Sequence, residues 1–167
     1  MTVLVAAASR HGATFEIAER IGSELAERGV DVELKKLEDV AEVDRYDAVV
    51  LGSAIYFGNW LKQARRFVAG HADELAERPT WLFGSGSITG DPPVGDDPNA
   101  IRPSLAEKLV ASTHAREHRL FAGKLDSSTL SLPERLPVRM AKGREGDWRD
   151  WQDVDEWADA IARELAG

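Results

Sequence analysis

The 167-residue chain contains no cysteine. Disulfides, thiolate catalysis and cysteine-based metal sites are thereby excluded. No apolar run is long enough to span a bilayer, so no integral membrane segment is expected. No basic, apolar leader precedes the first strand-like stretch at Val3, and a cytoplasmic location follows as the expectation. Excess positive charge is lacking too: the net charge is -8. Nucleic acid is therefore not expected as a partner. The four histidines are scattered, with His71, His114 and His118 in separate segments, and no metal site is expected from them. Nor does any set of residues form an acid–base or nucleophile constellation. What remains, with 43% hydrophobic and 30% charged residues, is the composition of a globular chain with a core of its own, here read as one domain over 1–167.

The stretch from Val3 to Ala18 organises that chain. Val3 to Ala8 is a continuous apolar run, as expected for a strand covered on both faces. Ser9-Arg10-His11-Gly12-Ala13-Thr14 is a polar loop, and a helix follows, expected to start near Thr14 with its hydroxyl as the cap. Phe15, Ala18, Ile21 and Leu25 share one face of this helix, and Gly29 ends it. Val30, Val32 and Leu34 alternate with charged residues, which predicts an edge strand with one wet face. Tyr46 to Gly52 is a third, buried strand, followed by a loop over Ser53–Asn59. A helix is predicted from Trp60 to Leu75, a fourth strand over Pro79–Gly84, a long turn-rich loop over 85–98, a helix over Ser104–His114 and a fifth strand over Glu117–Gly123. Lys124 to Gly146 contains Pro133, Pro137 and Gly143 and reads as an irregular excursion. The last helix begins between Asp147 and Asp150, one of which is the expected cap, and Trp151 and Trp157 are expected to pack it on the sheet.

Strand and helix alternate throughout. The fold class is α/β: a doubly wound, five-stranded parallel sheet. Ligands of such sheets sit at the carboxyl ends of the strands, where the strand order reverses. Three loops rich in Gly, Ser and Thr leave those ends. A phosphoacceptor domain would need acidic residues where Ser9 and Ser53 stand, and a dinucleotide fold would need G-x-G-x-x-G where only Gly12 occurs. A mononucleotide suits better. The first loop offers hydroxyls and N–H groups for a phosphate, with Arg10 and His11 as candidates to neutralise it. Tyr56 and Phe57 can contact a flat conjugated ring. Phosphate at one loop and a planar ring between two others describes flavin mononucleotide, FMN.

These residues carry a resemblance. S-R-H-G-A-T matches the first loop of the flavodoxin-like family except at His11, and the resemblance covers nearly the whole chain. It implies the strand order 2-1-3-4-5, and that Ser9, His11, Gly12, Ala13 and Thr14 hold the FMN phosphate. It also implies that Ser53, Ala54, Ile55, Tyr56, Phe57, Gly58 and Asn59, with Ser85, Gly86, Ser87, Ile88 and Thr89, border the flavin ring. The segments G-S-A-I-Y-F-G-N-W, F-A-G-K-L and G-D-W-R-D-W further resemble the menaquinone-dependent protoporphyrinogen dehydrogenase branch. The expected function is therefore an FMN-binding redox protein, an oxidoreductase like that branch. The alternative is a flavodoxin-type electron carrier with no substrate of its own. Expected partners are a redox protein or a small electron donor or acceptor such as a quinone. Pro133 and Pro137 break the segment after the fifth strand, so it is not expected to form a helix lying on a membrane.

Overall fold

The computed structural model describes residues 1–87, 103–125, 146–147 and 149–167. The elements are β1 (Thr2–Ala8), α1 (Ala13–Glu27), β2 (Asp31–Lys36), a 3-10 turn at Leu37–Asp39, β3 (Ala48–Tyr56), β4 (Asn59–Trp60), α2 (Lys62–Gly70), α3 (Ala72–Ala76), β5 (Thr80–Ser87), α4 (Pro103–Thr113), β6 (Glu117–Ala122), β7 (Lys124–Leu125), β8 (Gly146–Asp147) and α5 (Trp151–Ala166). Five parallel strands run in the order β2-β1-β3-β5-β6, which is the expected order once the short β4 is set aside. β4 folds back antiparallel on the end of β3, and β7 and β8 form a separate two-stranded ladder.

Helices on both faces explain the continuous apolar runs of β1 and β3. On one face Ile17, Ala18, Ile21 and Leu25 of α1 and Val154, Trp157, Ala158 and Ile161 of α5 pack against Val3, Val5, Val50, Trp81 and Phe83. On the other, Ala64, Val68, Leu75 and Leu109 cover Leu4, Ala6, Val49, Leu51 and Leu82. Each large side chain so buried contributes about 1.5–3 kcal/mol. β2 has strand β1 on one side only, which is why it alternates polar and apolar residues. Along the seam between α1 and α5, Arg20 grips Asp155 with two hydrogen bonds of 2.6 and 2.7 Å, and Arg28 reaches Asp159 at 2.7 Å.

Several boundaries differ from those expected. β3 continues through Ser53 to Tyr56, where a loop was expected, and β5 continues through Ser87. The expected helix over Trp60–Leu75 is two helices, because Gly70 is a poor helix former and His71 leaves the helical region at φ -122°. α1 starts at Ala13, directly after Gly12, and not at a Thr14 cap: Gly12 is the N-cap residue at φ 90°, and Thr14 is buried inside the first turn. Asp150 caps α5, accepting from the N–H of Gln152 and of Asp153 at 3.1 and 3.3 Å. Trp157 packs on the sheet as expected, but Trp151 does not: it lies at the surface with the Arg149 guanidinium 4.7 Å from its ring centre. Trp148 and most of the segments at 85–98 and 124–146 lie outside the described residues.

Gly52 shows how tight the centre of the sheet is. A Cβ there would stand 2.0 Å from Cζ of Phe83, whose ring also meets Phe121 and Trp157 edge-on at 5.9 and 6.0 Å. Gly52→Ala should lower stability in urea unfolding by about 1–3 kcal/mol through overpacking. An unchanged unfolding midpoint would show that the ring can yield without loss.

Candidate functional site

The site is built where β1, β3 and β5 end side by side. β1 hands over to α1 through Ser9–Gly12. The Ser9 hydroxyl accepts a hydrogen bond from the Gly12 N–H at 2.9 Å, which closes the loop. Gly12 then turns the chain at φ 90°, a conformation that glycine adopts without the Cβ penalty of other residues. The N–H of Glu16 takes the Gly12 carbonyl at 3.0 Å, and no side chain caps the turn before it. The free N–H groups of this turn and the positive end of α1 are directed to the edge of the sheet, a combination that attracts anions.

A residue that sequence reasoning missed braces this turn. Arg149 forms an ion pair with Glu16, donates to the Ala13 carbonyl at 3.3 Å and pairs with Asp147 at 2.8 Å. Its side chain is 6% exposed, while the Glu16 and Asp147 carboxylates that it grips stand 49% and 42% exposed. The hydrogen bond from Arg149 holds Asp147 below the ordinary carboxylate range, and Asp147 in turn raises Arg149. Asp147 is thus a partner of Arg149 and not the cap of α5. The G-D-W-R-D-W segment that drew attention in the sequence is where this brace lies, but no spacing rule predicts a partner so distant along the chain.

The second wall is a hairpin. Ile55 pairs with Trp60 and Tyr56 with Asn59, leaving Phe57 and Gly58 as the two turn residues. Both have positive φ, 50° and 77°, as in a type I′ turn. For Phe57 this backbone costs about 1–3 kcal/mol. The Asn59 side chain donates to the Phe57 carbonyl at 3.4 Å. Below the turn, the buried Ser53 hydroxyl accepts from the Leu61 N–H at 3.0 Å, and Arg65 donates to the Trp60 carbonyl at 3.1 Å. Tyr56 is half-buried, with the Arg10 guanidinium 5.0 Å from its ring centre, so the first loop and the hairpin touch. Phe57 is 51% exposed.

The other expected site residues fall into two groups. Ser53, Ala54 and Ile55 are buried strand residues, and Ser85 is buried in β5 with its hydroxyl 3.5 Å from the Ala122 carbonyl. Any role of theirs at the edge runs through backbone. Gly86 is half-buried at the end of β5, Ser87 closes that strand, and Ile88 and Thr89 lie outside the described residues. Ser9, Arg10, His11, Gly12, Ala13 and Thr14 are brought together with Tyr56, Phe57, Gly58 and Asn59 at one edge. A cleft of about 340 Å³ beside them is lined by Ser9, Arg10, Glu38, Leu61, Lys62 and Gln63. Two cations against one acid give it a charge opposite to that of the chain as a whole.

Behind the hairpin, the His118 ring lies 5.7 Å from that of Trp60. Among the described residues neither His118 Nε2 nor Trp60 Nε1 has a hydrogen-bond partner. Burial disfavours the imidazolium and lowers the His118 pKa from 6.5 to about 4. Among the described residues, no group of three or more His, Asp or Glu side chains could hold a metal ion, and no helix is long and apolar enough to cross a membrane.

A flavodoxin domain model matches residues 4–151. A protein of Escherichia coli K12, "Protoporphyrinogen IX dehydrogenase [quinone]", is 29% identical over 175 residues, covering 97% of this chain and 95% of the relative. A flavodoxin from the domain Archaea superposes with a TM-score of 0.67 at 18% identity, each chain covered to 100%. The two-electron reduced flavodoxin of Megasphaera elsdenii superposes at 0.63 and 18% identity, over 98% of this chain and 99% of that one. These two structures attest the fold.

The half-buried histidine, whose Nε2 is covered, yields a pH dependence. Between pH 6.5 and about 4 the unfolded chain takes up a proton at His118 that the folded chain does not, so stability rises with pH across that window. The full effect reaches about 3 kcal/mol at its lower end. Urea titrations should show His118→Leu losing less stability than the wild type between pH 6.5 and 4.5; parallel losses would mean that His118 is protonated in the fold.

Proposed function

Because the chain belongs to the flavodoxin domain family, we propose that it is an FMN-dependent oxidoreductase acting like the quinone-linked protoporphyrinogen dehydrogenase. The observation that carries FMN is the first turn of α1, uncapped by any side chain, entered through Gly12 at φ 90° and set at the strand ends. The residues present fit a phosphate: the donors are backbone N–H groups, and nothing lies within 4 Å of where a Gly12 Cβ would be, so the approach is open. Ser9 to Thr14 would hold the phosphate, and Tyr56 with its hairpin would stand beside the ring. FMN, when bound, supplies one- or two-electron exchange through its ring. The chain's own part is to bind, to orient and to keep water from the ring. Arg149 holds the binding turn in place, and Arg10 on Tyr56 joins the two walls.

The enzyme reading is favoured by the likeness to the E. coli dehydrogenase, which covers nearly the full length of both chains. On this reading a quinone is the electron acceptor, and the whole chain acts as a single cytoplasmic domain. A second reading, an electron carrier without a substrate, is favoured by the net charge of -8, which suits docking to a basic redox protein.

FMN should bind at least tenfold more tightly than riboflavin, followed by quenching of flavin fluorescence. Equal affinities would remove the phosphate from Ser9–Thr14. Gly12→Val forces a branched residue into the left-handed region and should abolish FMN binding while the circular dichroism stays that of a folded α/β protein. Anaerobic oxidation of protoporphyrinogen with menadione as acceptor decides between the readings. Turnover supports the enzyme. Salt-sensitive reduction by a flavodoxin reductase without porphyrinogen turnover supports the carrier.

A further inference from the structure

The Arg149 guanidinium is set in place from its own side of the chain. Asp147 of β8 takes its Nε and Nη2 donors in a fork at 2.9 and 2.8 Å, and the Trp151 ring centre lies 4.7 Å from the guanidinium carbon. A fork of this kind fixes both the position and the plane of the cation. The remaining arm, Nη1, is turned on the first turn of α1, where it pairs with Glu16 and donates to the Ala13 carbonyl at 3.3 Å. Glu16 is the one acidic residue of that turn. Its N–H makes the first bond of the helix, to the Gly12 carbonyl, so the N–H groups of Ala13, Thr14 and Phe15 precede the ladder. A carboxylate on the same turn competes with any anion for those groups. The helix dipole favours its ionised form, and acidic side chains near the start of a helix can fold back on free N–H groups. It would also repel a bound phosphate.

From this we infer that Arg149 is a positioning residue for the cofactor phosphate and acts through Glu16: it draws the Glu16 carboxylate to its own side of the turn and offsets its charge, which leaves the N–H groups of Ala13, Thr14 and Phe15 to the phosphate. The inference rests on the FMN reading and adds the device by which a chain of net charge -8 keeps an anion site open. The role requires no contact between Arg149 and the cofactor. Its effect falls on the phosphate and not on the flavin ring. Arg149 therefore governs the preference for FMN over riboflavin more than the affinity for flavin as such.

The test is flavin titration of the full chain by fluorescence quenching, with FMN and riboflavin as probes, in Arg149→Gln, Glu16→Gln and the double variant. Arg149→Gln should weaken FMN binding about fivefold or more and riboflavin binding less than about twofold. Glu16→Gln removes the charge that Arg149 offsets, so it should bind FMN at least as tightly as wild type. The double variant should recover FMN affinity to within about twofold of wild type. A merely structural brace gives a different pattern: FMN and riboflavin weaken together in Arg149→Gln, and the double variant stays weak. Either result overturns the inference, as does an FMN affinity unchanged in Arg149→Gln. If circular dichroism shows that Arg149→Gln does not fold, Glu16→Gln decides: affinity at or above wild type supports the inference, and a loss beyond about twofold overturns it. A wild-type chain that binds riboflavin as tightly as FMN overturns the phosphate site itself and this inference with it.

Discussion

The pairing of β1 with β3 sets the geometry of the functional edge. Ala8, the last residue of β1, lies opposite Ser53, and β3 continues for Ala54, Ile55 and Tyr56 beyond that point. The overhang lifts the hairpin above the edge while the first loop turns away beneath it. Arg10 and Tyr56 meet because of this offset. Both strands are buried on both faces, so a slip of one residue would turn core side chains toward the wrong helices. The offset is therefore as firmly fixed as the core, and the loops inherit that precision.

Electrostatics trims this frame without creating it. Many of the described arginines are spent on structure: Arg20 and Arg28 join α1 to α5, Arg116 pairs with Glu164, and Arg119 pairs with Asp153. Most of these pairs are open to solvent, and each is worth at most about 1 kcal/mol. Arg149 differs in having a side chain only 6% exposed, and it acts on the start of α1, which has no side-chain cap.

The sheet, its order and its two helical layers were legible because their signal is local: continuous apolar runs for buried strands, helical spacing for the covering faces, alternation for the edge strand. The end of β3 was not. Ser53-Ala54-Ile55-Tyr56 carries a hydroxyl and small residues that read as loop, and only the return of β4 shows that they are strand. The turn was hidden for a related reason, since Phe-Gly is not the pair that such turns favour. Thr14 was a plausible cap on residue type, yet Gly12 enters the helix earlier because its backbone allows it. Arg149 could not have been assigned, as its partner Glu16 is 133 residues away. Of the phosphate loop and the hairpin, the residue identities were readable and their mutual contact was not.

The small ladder of β7 and β8 has a consequence for how this architecture can diversify. Lys124 lies opposite Asp147 and Leu125 opposite Gly146, so the chain leaves the sheet and comes back to it at neighbouring points. A segment whose two ends are already joined can grow, shrink or be exchanged at little entropic expense, because closure depends only weakly on its length. Such a junction acts as a socket. Changes of sequence between its two ends can then leave the edge where β1, β3 and β5 stop as it was.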